Sequence, residues 1–154
     1  MKFSIDYSDA SFVNFLLFVW QLPQCLLALI LISSLQANAD EWRSVIPWRN
    51  EGTGMTVMSF KVPTKACWSL GPFIFVNDCA DEALKRHESG HCVQSLILGP
   101  IYLLVVGLPS VLLLVTKRLI KKFGNKTDDE LSKWYHSKYP ECWADSLGCV
   151  TKHD

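Results

Sequence analysis

Hydrophobic and polar positions are segregated along this chain. No charged residue occurs from Ala10 to Ala39 or from Cys92 to Thr116, while the rest is polar. Phe12 to Leu35 has the length of a membrane-spanning helix. Gln21-Leu22-Pro23-Gln24 interrupts it, where Pro23 either kinks a helix or starts one. This gives an N-terminal membrane segment over residues 1–39, retained in the protein. Ala37-Asn38-Ala39 is the alternative, a small-residue cleavage site. Asp40 to Gly54 is polar, with Trp42 and Trp48 as headgroup-level or ordinary loop aromatics.

Residues 40–154 form the second unit. Met55 to Val62 alternates weakly and Pro63-Thr64 breaks it. Cys67 to Val76 carries Trp68, Phe73, Ile74, Phe75 and Val76 around Gly71-Pro72. These predict a small β-hairpin or three short strands. A helix follows from about Ala80 to Leu98, capped by Asn77 or Asp78 and stopped by Gly99-Pro100. Ile101 to Val115 is apolar, with Gly107-Leu108-Pro109-Ser110 halfway. Thr127-Asp128-Asp129-Glu130 is a capping box that opens a helix over Asp128 to Ser137. Pro140 starts a last helix that Gly148 ends. The fold class is mainly α with a small β-hairpin or sheet.

The formal net charge of zero argues against nucleic acid as a partner. Segregated hydrophobicity points to a lipid bilayer instead. The six cysteines contain no C-x-x-C, and Cys25 lies in an apolar tract, so they predict no disulfide framework; Cys67 and Cys79 are the pair to test in an oxidising compartment.

His87-Glu88-Ser89-Gly90-His91 reads H-E-x-x-H. On a helix it sets two imidazoles one turn apart on one face, with a glutamate able to reach water on the same metal. Gln94 sits at the edge of that face. Downstream, Glu141-Cys142-Trp143-Ala144-Asp145 reads E-x-x-A-D. It places Glu141 as a third ligand and Asp145 as acceptor for the free ring N–H of a ligating histidine. His136 and His153 read as surface residues, and Tyr135, Tyr139 or His136 as candidates to stabilise an oxyanion.

The two motifs together resemble the gluzincin metallopeptidases, in particular the membrane-bound CAAX-prenyl-protease and HtpX-like group. The resemblance implies a zincin-like helical domain with zinc on His87, His91 and Glu141, Glu88 as general base and Asp145 behind the ligands. A broader resemblance covers most of the chain. Gln21 to Gln24, Leu70-Gly71, the H-E-S-G-H stretch, Gln94-Ser95, Leu98 to Leu103, Gly107 to Ser110 and Trp143 to Asp145 are similar to a family of small bacterial membrane proteins with an H-E-(F/Y)-G-H motif, which brings no established activity. Ser89 replaces the aromatic of that motif, Cys149 stands where a second glycine is usual, and Lys85 is charged where zincin helices prefer an uncharged residue.

The site constrains topology. Were Leu96 to Val115 one straight span, His91 and Glu141 would start on opposite sides of a bilayer, yet zinc bonds are about 2 Å long. The expectation is an apolar re-entrant or interfacial hairpin at 96–116, turning at Gly107 to Ser110. A long helix along the first membrane segment is the alternative. Lys85, Arg86 and the Lys117 to Lys122 cluster place the site on the cytoplasmic side. Functionally, the residues predict a membrane-associated zinc-dependent metallopeptidase acting on a peptide or protein substrate. The alternative is a non-catalytic membrane protein with a structural or vestigial zinc site, closed by Cys92 or Cys142, and a binding role.

Overall fold

The computed structural model describes residues 5–36, 45–63, 66–124 and 126–150. Ala37 to Ala39, Trp42, Thr64 and His153 lie outside them. Helices dominate, with one small sheet. The elements in order are α1 (Phe12–Trp20), α2 (Leu22–Gln36), β1 (Ile46–Arg49), β2 (Thr56–Lys61), β3 (Trp68–Leu70), β4 (Phe73–Val76), α3 (Glu82–Leu98), α4 (Leu108–Phe123), α5 (Asp128–His136) and α6 (Glu141–Leu147).

The sheet is four-stranded, ordered β1-β2-β4-β3. β4 pairs antiparallel with β3 across the Gly71-Pro72 turn and parallel with β2. Gly71 there has φ +61°, a conformation glycine adopts without steric cost. β1, which the sequence pattern did not separate from loop, pairs with β2. Pro47 is tolerated because β1 lies at the sheet edge. Trp48 is half-buried against the core rather than set apart as an anchor.

Alternation along β4 sends its side chains to two cores. Ile74 and Val76 join Met55 and Val57 against Cys92 and Val93 of α3. Phe75 joins Phe60 and Val62 against Ala28 and Ile32 of α2. The sheet is therefore sandwiched between α2 and the helix carrying H-E-x-x-H. Half of the expected membrane segment covers a sheet, while Leu26, Leu27, Leu29 and Ile30 stay exposed.

α1 and α2 meet at 91°. Pro23, second residue of α2, starts a new helix where its missing N–H costs nothing. Gln21, Gln24 and Ser95 are fully buried at this corner, and apart from Gln24 Oε1 their side-chain polar groups are paired. Gln21 Nε2 donates to the Tyr7 hydroxyl, Ser95 Oγ donates to Gln21 Oε1, and Gln24 Nε2 donates to Ser95 Oγ and to the Gly99 carbonyl. The Gln-Leu-Pro-Gln interruption thus ties the N-terminal corner to the end of α3. α3 begins later than expected, because Asp81, not Asn77 or Asp78, caps it by accepting from Leu84 N at 2.8 Å.

The expected reversal at Gly107 to Ser110 does not occur. A π-helical turn over Leu103–Gly107 runs directly into α4. Widening the turn accommodates Pro109, whose ring would otherwise press on the carbonyl of Val105 four residues back. That carbonyl accepts the Tyr139 hydroxyl at 2.8 Å. Leu103–Phe123 is one 21-residue helical stretch, long and apolar enough to cross a membrane. It packs against α5.

Candidate metal centre

α3 buries its middle, from His87 to Ser95, between the sheet and α6. α6 reaches it through two glycines. A Cβ on Gly90 would sit 2.0 Å from the Ala144 carbonyl oxygen, and one on Gly148 would sit 2.0 Å from that of Arg86. This close approach brings Glu141 to the histidines.

The three expected ligands converge. Glu141 Oε2 lies 3.1 Å from His87 Nε2 and 3.3 Å from His91 Nε2. The far ring nitrogens are both engaged: His87 Nδ1 with Asp145 Oδ1 at 2.6 Å and His91 Nδ1 with Gln94 Oε1 at 2.7 Å. Gln94 Nε2 donates to the Pro140 carbonyl, which fixes its oxygen toward His91. Each imidazole donating from Nδ1 presents an Nε2 lone pair to a carboxylate oxygen. Three acceptors facing one another need a proton or a cation between them.

The electrostatics agree. Burial disfavours the His87 imidazolium, yet hydrogen bonds to Asp145 and Glu141 outweigh it and raise the group to about 10. Burial likewise works against the Glu141 carboxylate, but hydrogen bonds from His87 and His91 hold it well below its ordinary range. Asp145 is lowered against its own burial, by hydrogen bonds from His136 and then His87. His87, His91 and Glu141 are buried and spaced to hold a metal ion. Two imidazole nitrogens and one carboxylate oxygen are a donor set that fits catalytic zinc.

A cavity of about 240 Å³ opens on this group, bounded by β3 on one side and by Leu103, Ser110 and Leu114 of the long helical stretch on the other. Glu88 Oε2, Ser69 Oγ and Trp68 Nε1 are buried without a hydrogen-bond partner, and all three residues line that cavity. Unsatisfied buried polar atoms are costly and mark places where a ligand completes the bonding.

Several residues hold roles that the motifs did not reveal. Ser110 Oγ donates a short hydrogen bond to Glu141 Oε1; its signal was a hydroxyl in an otherwise apolar run. His136, expected at the surface, is half-buried, and its Nδ1 lies 3.1 Å from Asp145 Oδ2. Of the oxyanion candidates, Tyr135 lines the cavity, whereas Tyr139 is committed to the Val105 carbonyl and His136 to Asp145. Neither cysteine offered as a fourth ligand belongs to the cluster: Cys92 is buried in the core below the sheet and Cys142 is exposed. All six cysteines are free, Cys67 and Cys79 included. No known protein family, curated protein or solved structure matches the chain.

Proposed function

We propose that this chain is a membrane-associated zinc metallopeptidase that hydrolyses peptide bonds, with its site on the cytoplasmic side. The observation that carries the reading is the convergence of His87 Nε2, His91 Nε2 and Glu141 Oε2 while both Nδ1 atoms are held from behind. A bound zinc ion would supply Lewis acidity toward a carbonyl and a lowered water pKa. Glu88, with one carboxylate oxygen unpaired at the cavity, takes a proton from the attacking water and delivers it to the leaving amine. Asp145 and Gln94 keep both imidazoles in the Nδ1–H tautomer. β3 is the sheet's edge strand and lines the cavity, a position from which an extended peptide is bound by backbone pairing. Lys85, Arg86 and the basic residues at the end of α4 suit the anionic cytoplasmic leaflet and support the cytoplasmic placement.

The decisive variant is Glu88→Gln. Zinc content should match wild type while hydrolysis of a peptide library disappears. A variant as active as wild type would refute the role of Glu88. Wild-type protein purified without chelators and holding no zinc, and taking none up, would refute the site itself.

A further inference from the structure

We infer that the Leu103–Phe123 helix lies in the plane of an anionic membrane surface and does not cross the bilayer. This rests on the membrane association proposed above and specifies how it is made. Leu104, Leu108, Leu112, Val115, Leu119 and Phe123 are all exposed, with Phe123 at 76%. Their spacing of three or four residues forms one apolar stripe along the outer side of the helix.

The opposite side is occupied. Leu103, Ser110 and Leu114 face the cavity, and the last turns carry α5. Lys117 sits 4.5 Å over the Tyr135 ring, and Lys121 pairs with Asp128 at 2.6 Å. α5 is a charged helix, Asp128-Asp129-Glu130 at its start. A span would drag it into hydrocarbon. The whole stretch is long enough to cross, but from Leu103 to its first cation, Lys117, it rises only roughly 21 Å at 1.5 Å per residue, short of the ~30 Å hydrocarbon core. α1 with 9 residues and α2 with 15, set at 91°, give roughly 14 and 22 Å, so neither crosses alone.

The occupant is set by charge. Arg118 and Lys122 are exposed in the same turns as Val115, Leu119 and Phe123. Their long stems let cationic heads reach the headgroup layer while the stripe enters the acyl boundary. A second copy packed parallel would set like charges against these two cations; anionic lipid neutralises them. The surface continues past the helix. Exposed Ile101 and Ile97 flank Gly99, where a Cβ would come within 2.2 Å of the Trp20 ring, and exposed Phe12, Phe15 and Leu16 follow on α1. The metal-binding cavity, on the reverse of this helix, then sits at the interface and not within the bilayer.

The test uses the full chain reconstituted in sealed vesicles of phosphatidylcholine with phosphatidylglycerol. A specific protease site is inserted after Asp78 or after Gly124, and in separate samples a fluorescent amino acid replaces Leu104, Leu112 or Phe123. An in-plane helix gives cleavage of both sites from the same side. It also gives equal quenching of the three reporters by shallow lipid-borne quenchers. Omitting phosphatidylglycerol lowers quenching at Phe123 more than at Leu104, because the cations cluster at that end. Cleavage from opposite sides, with Leu112 deepest, would overturn the in-plane placement and leave membrane association standing. Failure to float with vesicles of either composition would overturn both. Unquenched reporters in a protein that runs as a dimer would assign the stripe to a second copy and overturn the inference. Equal quenching at Phe123 with and without phosphatidylglycerol would overturn its anionic part.

Discussion

Replacing Gly90 by alanine tests whether the α3–α6 approach builds the site. Alanine is the better helix former by about 1 kcal/mol, so α3 itself should be strengthened. The added Cβ, however, would stand 2.0 Å from the Ala144 carbonyl oxygen, where carbon–oxygen contacts need about 3.3 Å. α6 must retreat by about 1.3 Å at Ala144, one turn from Glu141. Metal bonds hold their lengths to within about 0.2 Å, so the displacement removes Glu141 from reach of a metal on His87 and His91. Overpacking of this kind costs about 1–3 kcal/mol, which the helix gain of about 1 kcal/mol offsets in part. We expect Gly90→Ala to keep its helical circular dichroism and to lose at least about 100-fold in zinc affinity, the upper range for disturbing residues behind a ligand. Competition with a chromophoric chelator measures it. Wild-type affinity in Gly90→Ala, with Glu141→Ala still weakening it, would show that the two helices can part without disturbing the site, and the reasoning would fail.

Other outcomes follow from the same geometry. His136→Ala should weaken zinc about tenfold by freeing Asp145 to turn from His87, seen in the same competition; unchanged affinity would mean Asp145 is held without it. His87 is raised from 6.5 to about 10 in the metal-free fold, so its contribution to stability is complete below pH 6.5 and is lost as pH rises toward 10. Urea melts of metal-free protein across that window should show the decline, and zinc binding should release protons and tighten with pH over the same range, as calorimetry in buffers of different ionisation enthalpy reports. Gln24→Ala leaves the Gly99 carbonyl and Ser95 hydroxyl without their buried donor; thermal denaturation should show a loss of about 1–3 kcal/mol.

How much of this was legible in the sequence depends on whether the physics is local. The helix spacing of His87 and His91, the one-turn spacing of Glu141 and Asp145, and the capping box at Thr127 are set within a few residues, and each lies on a helix as the pattern requires, though α3 starts later than expected. Contacts between distant segments were not legible. β1 carries a proline and joins the sheet only because β2 offers an open edge. Gln21 and Gln24 look like a defect in an apolar helix until Ser95 and Gly99, more than seventy residues away, supply their partners. Gly107 to Ser110 reads as a break, yet Tyr139 takes up the Val105 carbonyl and the helix continues. The same helix answers the topological difficulty that suggested a hairpin. His91 and Glu141 meet because α5 turns back along α4, and with that helix in the membrane plane, as inferred above, no return through hydrocarbon is required. Ser110 reaches Glu141 from the side of that helix turned away from the apolar stripe. One helix thus separates two environments, an apolar exterior and a buried set of three acceptors that need a proton or a cation, and this separation is what the segregated hydrophobicity of the chain encodes.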